Sequence, residues 1–405
     1  MRGRALKLAF GVLVAALAAA MALAIAGCGS QAASSGGSAG SGGSAKAEPI
    51  KVGAILSLTG SYATLGAPQK ATIDMEVKRI NDAGGINGRP VEVLIEDDGT
   101  DEAKAVAAAT KLVEQDKVIA LIGATGTGQS MAVRPVVDRA GIPQMSMAGG
   151  NAITGTFDKL VFQTAWSNAL VAPYELAYMQ KQGIKKIGLI SDTSGYGKDG
   201  VAVLTSLVGN YGMTIASNQT FNPGDADMTA QLTNIKNSGA EAVVTWSAGK
   251  EAATVVKNAK DLGLTIPMYG SHGNARQEFA TGAGAAADGF RFAAGHILLP
   301  DTYGAGTEEF KVGTAFIANF KGATGTSPST FAGHAYDALY LITDAAKTLG
   351  TDVTGPKLRD AIEATKAFPG IGGVFTFSTT DHNGLSDKDL TFYEIKGGQF
   401  ALAPQ

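Results

Sequence analysis

The stretch "IKVGAILSLTGSYATLGAPQKATIDMEVKRINDAGGINGRPVEVLIEDD", residues 50–98, decides the fold. Its first nine residues and the segment 91–97 are short apolar runs that predict β-strands. Residues 62–83, between them, repeat apolar side chains at intervals of three and four, as an amphipathic helix does. A Gly-Gly pair suits the end of that helix, and an Asn-Gly pair suits the turn before the next strand. Strand, helix and strand in this order predict a parallel sheet covered by helices.

The same alternation runs through most of the chain. Further strands are predicted at 117–124, 142–148, 185–192, 213–221, 241–247 and 266–272, and the pattern restarts near residue 168. The segments between these strands have the apolar spacing of amphipathic helices, which an antiparallel sandwich would lack. The predicted fold class is therefore α/β, with two doubly wound parallel-sheet lobes.

The C-terminal part of the chain is expected to complete both lobes. Helices are predicted near 306–322, 333–349 and 355–366, and terminal strands at 373–378 and 390–400. The chain would then cross between the lobes more than once, through a multi-crossover hinge. The expected domain assignment is 49–168 plus 297–372 for the first lobe and 169–296 plus 373–405 for the second.

The composition indicates a globular protein and argues against nucleic acid as a partner. Of the 405 residues, 45% are hydrophobic and 17% are charged, and the net charge is −3. This length suggests two lobes that each bury a core. Without the basic leader residues Arg2, Arg4 and Lys7, the rest of the chain carries a charge of −6. Such a mildly acidic body offers no basic surface to a nucleic acid.

Residues 1–27 are predicted to be an export signal. Basic side chains precede an apolar segment, 8–25, which is followed by the small residues Ala26 and Gly27, as in a secretory signal. A membrane-spanning anchor is the alternative, because the apolar segment approaches the length of about 20 residues that crosses a bilayer.

The segment "LAIAGCGS", residues 23–30, decides between these alternatives. It resembles the bacterial lipobox, which implies that Cys28 is lipidated and becomes the mature N-terminus. Cys28 is the only cysteine in the chain, so it cannot form an internal disulfide. Residues 28–48 are then a lipidated cysteine followed by a flexible Gly/Ser/Ala tether. The body is expected on the outer face of the cytoplasmic membrane, periplasmic or at the cell surface.

The glycine-rich segment "VIALIGATGTGQS", residues 118–130, follows a predicted strand and opens a helix. Its glycine spacing matches a nucleotide-binding loop, but Gln129 stands where that loop requires lysine. A purely structural turn is a second interpretation. A third is a cradle for a carboxylate, because backbone N–H groups at a helix N-terminus bind anions. Thr125, Gly126 and Thr127 are therefore candidate ligand-binding residues.

Longer motifs give a more specific resemblance. The segment 50–98 with "GGINGRPVEV" and "DD", together with "YGKDG" and "PMYGSHGNA", resembles the branched-chain amino-acid (Leu/Ile/Val) type of ABC-transporter substrate-binding lipoprotein. The resemblance covers residues 49–400. It implies the type I periplasmic-binding-protein fold, whose two lobes are joined by three crossovers. It also implies that the protein closes on a small ligand and presents it to ABC permease subunits in the membrane.

The resemblance also implies a pocket. Thr127 matches a hydroxyl that binds the ligand carboxylate, and Ala148 matches a carbonyl that accepts from the ligand ammonium. Tyr196 matches an aromatic side chain of the second lobe that covers the ligand, and Trp246 lies near the position of another. The expected ligand-binding residues are Thr125, Gly126, Thr127, Ala148, Gly149, Gly150, Tyr196, Trp246 and His272.

Three positions depart from the family pattern. Gly150 stands in place of a threonine near the ammonium, Leu65 replaces a tyrosine of the first loop, and His272 replaces an acidic residue. Since a buried ammonium without a carboxylate is costly, the histidine weakens the case for an α-amino acid. A neutral histidine can instead exchange a hydrogen bond with a hydroxyl, an amide or a carboxylate.

No enzymatic activity is expected. The chain has no G-x-S-x-G or H-E-x-x-H motif. Its four histidines, His272, His296, His334 and His382, are not spaced as metal ligands, and all except His272 are predicted to be structural. We therefore expect no cofactor and no metal, and a monomer that binds a small amino acid or a related carboxylate or amide. The alternative function is a sensor module that acts with a separate membrane signalling protein.

Overall fold

The computed structural model describes residues 47–404 of the chain. The expected signal peptide, Cys28 and nearly all of the tether lie outside the described residues. The described residues belong to one compact unit. None of the helices within 47–404 combines the length and the apolar character needed to cross a membrane.

The first sheet has five parallel strands in the order β2-β1-β3-β4-β5. Strands and helices alternate along the chain, as predicted, so each crossover helix returns to a face of the sheet. The elements are β1 (Ile50–Leu56), α1 (Ala63–Asp82), β2 (Val91–Asp97), α2 (Glu102–Glu114), β3 (Leu121–Gly123), α3 (Thr127–Ala140), β4 (Gln144–Ser146) and β5 (Val161–Gln163).

The second sheet has seven strands in the order β14-β13-β10-β9-β8-β6-β7. Five of them are parallel, from β7 to β10. Its elements are α4 (Asn168–Lys181), β6 (Lys186–Asp192), α5 (Gly195–Leu207), β7 (Thr214–Phe221), α6 (Thr229–Asn237), β8 (Ala242–Trp246), α7 (Glu251–Asp261), β9 (Met268–Tyr269), α8 (Gln277–Ala283) and β10 (Arg291–Ala294).

The C-terminal part supplies three helices and two hairpins. They are α9 (Glu308–Thr324), α10 (Thr330–Thr348), α11 (Gly355–Glu363), β11 (Phe368–Pro369), β12 (Val374–Phe375), β13 (Thr391–Lys396) and β14 (Gln399–Leu402). The predicted strand 390–400 is in fact the β13–β14 hairpin, which adds antiparallel strands to the second sheet. Gly397 and Gly398 form its turn with φ of 56° and 76°, the left-handed conformations that a tight hairpin requires.

Each sheet is covered on both faces. On the first sheet, α1 and α10 bury one face, with Ile73 and Leu339 in a shared core. Helices α2 and α3 bury the opposite face around Leu112 and Val133. The second sheet likewise contributes to separate clusters on its two sides. Two sheets that each have helices on both faces make the two doubly wound lobes that the sequence predicts.

The sequence predicts the third crossing between the lobes at residue 373, but the structure places this crossing later in the chain. Strand β12 pairs with β11, and Phe375 and Phe377 lie in the core of the first sheet. The ring of Phe377 contacts Phe162 of β5 at 5.2 Å between centroids. The chain returns to the second sheet only at β13. The predicted strand 373–378 was assigned to the wrong lobe, because alternating apolar residues show that a strand is half-buried but not which sheet buries it.

Candidate ligand-binding cleft

A buried cavity lies between the two lobes, at the carboxyl ends of their strands. The first lobe contributes residues that follow β3, β4 and β5, and the second contributes residues that follow β6, β8 and β9. The space between the lining residues, including the part that is open to solvent, is about 330 Å³. A cleft at this position, with mostly buried lining residues, is a common place for a small-molecule site.

The amino end of α3 forms one wall. Gly126 is the N-cap of α3, and no side chain caps this helix. The backbone N–H groups of the first helical turn have no partner within the helix and carry the positive end of its dipole. The Thr127 hydroxyl accepts a hydrogen bond of 3.2 Å from the Gly150 N–H, so its own hydrogen can be donated to a ligand.

Thr125 also lines the cavity, but its hydroxyl forms hydrogen bonds within the protein. Its hydroxyl accepts a hydrogen bond from the Ser57 N–H at 3.0 Å and donates one to Gln69 Oε1 at 2.6 Å. Its only hydrogen is therefore committed to the protein. Thr125 fixes the loop between β3 and α3 against β1 and α1, and Thr127 is the hydroxyl that remains for a ligand.

The loop after β4 forms the adjoining wall. Ala148 and Gly149 line the cavity, and their carbonyls accept hydrogen bonds of 2.7 Å from Gln163 Nε2 and from the Asn168 N–H. The expected site residue Gly150 does not line the cavity but supports Thr127 from behind. A Cβ at position 150 would collide with the Thr127 methyl group, so a threonine at this position would require the Thr127 side chain to shift.

The second lobe contributes an aromatic and imidazole wall. Tyr196 and His272 line the cavity, and the Tyr196 hydroxyl lies 3.3 Å from His272 Nδ1. The expected site residue Trp246 lies behind them. Its ring stacks on Tyr196 at 6.3 Å between centroids, and its Nε1 donates to Asn168 Oδ1 at 3.1 Å. Trp246 therefore holds Tyr196 in place, and it is absent from the cavity lining.

Helix α10 adds two residues that the sequence analysis did not place in the site. Phe331 and His334 line the cavity, although His334 was predicted to be structural. The His334 ring packs edge-on against Trp166 at 5.0 Å between centroids, and its Nδ1 is buried without a partner. A histidine within an otherwise apolar helical stretch was the available signal, but helical periodicity alone does not tell a site residue from a core residue.

Burial decides the protonation states around the cavity. It lowers the pKa of His272 and of His334 from 6.5 to about 3 in each case, because a charged imidazole would lose its hydration there. For His272 the neighbouring His334 adds to this effect. Both imidazoles are therefore neutral at pH 7. Of the described residues that line the cavity, none carries a carboxylate, an ammonium or a guanidinium.

These neutral histidines predict a loss of stability in acid. The unfolded chain binds a proton at each histidine below about pH 6.5, whereas the folded protein does not until about pH 3. Stability from His334 is thus complete above pH 6.5 and decreases by about 2–3 kcal/mol on acidification to pH 4.5. Urea unfolding of the wild type and of His334→Gln, above pH 6.5 and at pH 4.5, measures this difference. Equal pH dependence in the two proteins would contradict the assignment.

The cavity has the chemistry of a binding site. Its hydroxyl, backbone N–H and neutral imidazole groups can form hydrogen bonds with a solute. Within residues 47–404, no group of three histidine, cysteine or acidic side chains is placed to hold a metal ion.

Comparison with known proteins assigns the family. The family described as "Periplasmic binding protein" matches residues 49–399. A Leucine-, isoleucine-, valine-, threonine-, and alanine-binding protein of Pseudomonas aeruginosa is 26% identical over 357 residues, which cover 86% of this chain and 90% of that protein.

Solved structures agree with this assignment. An extracellular ligand-binding receptor from Rhodopseudomonas palustris is 28% identical with a TM-score of 0.83, over 88% of this chain and 100% of that one. The branched-chain amino acid transporter substrate-binding protein LivJ from Streptococcus pneumoniae, solved with isoleucine, is 28% identical with a TM-score of 0.76, over 87% and 98% of the chains. The chain therefore belongs to the periplasmic binding protein family, as a type I solute-binding protein of the branched-chain amino-acid class and not an enzyme.

Proposed function

We propose that this chain is the solute-binding component of an ABC importer and captures a small amino acid, or a related carboxylate or amide, between its lobes. The observation that carries the proposal is the buried cavity at the amino end of α3. The printed name of the Pseudomonas aeruginosa relative, an amino-acid-binding protein, supports this class of solute. So does the isoleucine bound in the Streptococcus pneumoniae structure.

In this proposal, the ligand carboxylate docks first on the wall of the first lobe. The Thr127 hydroxyl and the N–H groups of the first turn of α3 donate to it, and the helix dipole adds partial positive charge. Tyr196 and His272 then close over the ligand from the second lobe. The Ala148 carbonyl keeps one lone pair free beside its bond to Gln163, so it can accept from a donor on the ligand.

Hydrogen bonds across the cleft support closure as part of the mechanism. The Asp199 carboxylate of α5 accepts from the Asn151 and Ala152 N–H groups at 2.7 and 2.9 Å. The Ser61 hydroxyl donates to Glu251 at 3.0 Å. These contacts join residues that follow strands of different sheets, so they form only when the lobes meet. A bound ligand that adds contacts to both walls shifts the population toward this closed form.

The proposal includes anchoring and delivery. The lipobox resemblance around Cys28 supports a lipid anchor on the outer face of the membrane, and a permease would recognise the closed lobes. A single chain supplies both walls of the cavity, which supports action as a monomer.

A ligand screen with a Thr127 variant tests the proposal. We expect at least one compound in a panel of amino acids, monocarboxylates, dicarboxylates and short amides to raise the melting temperature, because a ligand at 100 times its Kd adds about 2.7 kcal/mol of stability. Thr127→Val should weaken the tightest of these compounds by ~1–3 kcal/mol, the scale of one hydrogen bond to a charged group. Isothermal titration calorimetry measures the loss.

Thr127→Ser is the matched control for this experiment. It keeps the hydroxyl that accepts from Gly150 and donates to the ligand, so its affinity should stay close to that of the wild type. Since valine also leaves the Gly150 N–H without its acceptor, the folded fraction of each variant is checked by circular dichroism. Unchanged affinity in folded Thr127→Val would rule out the proposed carboxylate position.

A further inference from the structure

The described lining of the cavity offers hydrogen bonds but no negative charge. Three of its polar atoms, Tyr62 Oη, His272 Nε2 and His334 Nδ1, are buried without a partner. Neutral imidazole nitrogens and a phenol can each exchange a hydrogen bond with a neutral group. They cannot neutralise an ammonium, and a buried charge left uncompensated costs several kcal/mol.

Two buried carboxylates that act on the lining residue Tyr62, those of Asp192 and Glu251, already have hydrogen-bond partners. Asp192 accepts hydrogen bonds from the Ser194 N–H and hydroxyl and from the Ser247 hydroxyl. Glu251 accepts from the Ser61 hydroxyl and from the Gly224 N–H. Neither residue is among those that line the cavity. The lining residues would therefore form a neutral wall between an ammonium in the cavity and both of these acids.

A positive charge lies directly behind that wall. Arg276 is buried and donates to the carbonyls of Gly273 and Gly249. Its guanidinium carbon lies 5.9 Å from the centroid of Phe331, and both Phe331 and Gly273 line the cavity. Among the ion pairs within residues 47–404, none includes Arg276. The charges of Glu278 and Glu251 offset part of its field, and the remaining positive field favours an anion over a cation in the cavity.

The rest of the lining is apolar. Leu65, Met147, Ala148, Ala165, Ala248 and Phe331 surround the space next to the polar atoms. The imidazole of His272 also reaches across the cleft to Gly149, where a Cβ would collide with its Nε2. By the resemblance to the family, this imidazole stands at the sequence position of an acidic residue.

We infer that the cleft selects small apolar monocarboxylates that carry a hydrogen or a hydroxyl on the α-carbon in place of an ammonium. This inference rests on the proposed function and names the substrate class within it. The carboxylate binds at the amino end of α3, the apolar body fills the space beside Leu65 and Phe331, and an α-hydroxyl can exchange a hydrogen bond with His272 Nε2. Protonated amines are excluded because no carboxylate faces them.

Matched pairs of ligands test the inference by isothermal titration calorimetry at pH 7.5. The pairs are leucine with 4-methylpentanoate and 2-hydroxy-4-methylpentanoate, phenylalanine with 3-phenylpropanoate, and alanine with propanoate. In at least one set, the acid without an ammonium should bind at least tenfold more tightly than the amino acid. Tighter binding of the amino acids by the wild type would overturn the inference and leave the proposed function intact.

Substitution of His272 identifies the cause of the preference. His272→Glu restores a carboxylate and should reduce the preference for the acid at least tenfold, whereas His272→Gln, which stays neutral, should keep the wild-type order. If His272→Glu does not fold, the wild-type measurements alone decide the matter. Binding of 4-methylpentanamide without any of the acids would also overturn the inference but not the proposed function. Failure of every acid, amino acid and amide to bind would overturn both.

Discussion

Replacing Gly195 with alanine is expected to weaken ligand binding by roughly 5- to 150-fold while both lobes stay folded. Gly195 opens α5 in the second lobe and lies against Gly128 in the first turn of α3. A Cβ at position 195 would lie 2.7 Å from the backbone nitrogen of Gly128 and 2.9 Å from its Cα. Because backbone atoms cannot rotate aside, the lobes cannot close fully, at a cost on the scale of about 1–3 kcal/mol for an overpacked contact.

Gly209→Ala is the matched control for this experiment. Gly209 lies in the second lobe, and a Cβ at this position would have no atom within 4 Å, so its replacement should leave the affinity unchanged. Calorimetry with the tightest ligand of the screen measures the affinity, and small-angle X-ray scattering with saturating ligand measures closure. Full closure and wild-type affinity in Gly195→Ala would show that this helix contact does not limit the bound state.

Replacing Asp337 with alanine is expected to lower the free energy of unfolding by roughly 2–6 kcal/mol. Asp337 lies on α10, and its carboxylate accepts hydrogen bonds from the Ile371 and Gly372 N–H groups at 2.6 and 2.8 Å. Alanine leaves two buried donors without partners, each at a cost of about 1–3 kcal/mol. The same segment is tied to Trp166, whose Nε1 donates to the Gly372 carbonyl at 3.0 Å, so the loss should loosen a link between the lobes.

The loss of unfolding free energy caused by Asp337→Ala should depend on pH. Burial raises the pKa of this carboxyl from 3.8 to about 7, against the opposing effect of its two backbone hydrogen bonds. Between these two pKa values, the folded protein holds a proton at Asp337 that the unfolded chain has released. The stabilisation that results from this difference in proton binding is lost as the pH rises from about 4 through 7. The difference in unfolding free energy between wild type and Asp337→Ala should be larger at pH 5 than at pH 8, as measured by urea titration.

Asp344→Ala on the same helix is the control. Its exposed carboxylate pairs with Lys347 at 2.6 Å, and exposed pairs of this kind contribute about 0–1 kcal/mol. A loss at Asp337 no larger than that at Asp344 would mean that the buried hydrogen bonds do not stabilise the segment 371–372.

The order of strands and helices could be predicted from the sequence because it depends on local periodicity. Residues 50–98 form β1, α1 and β2 as expected, since the spacing of apolar side chains and the glycines at the helix end act within a few residues. The position of the amino end of α3 likewise depends on local sequence. Gly126 and Thr127 lie beside the cavity because a helix that follows a parallel strand starts at the carboxyl edge of the sheet.

The partners of each side chain were decided only by the tertiary structure. The sequence placed Thr125, Gly150 and Trp246 in the site. Thr125 does line the cavity, but its hydroxyl donates to Gln69, and Gly150 and Trp246 contact lining residues from outside the cavity. His334 enters the cavity from α10, far along the chain. Hydrogen bonds and packing between distant segments depend on how whole helices and strands pack against one another. The local periodicity of the sequence does not predict that packing.

The sequence by itself thus determined the fold class, the alternation of elements and the helix end that lies beside the cavity. Only the tertiary structure decided that Phe375 and Phe377 pack in the first lobe and that a neutral pair of histidines faces the cavity. The physical reason is the same in both cases. Which sheet buries a strand, and how far burial lowers the pKa of His272, depend on surrounding atoms that are distant in sequence.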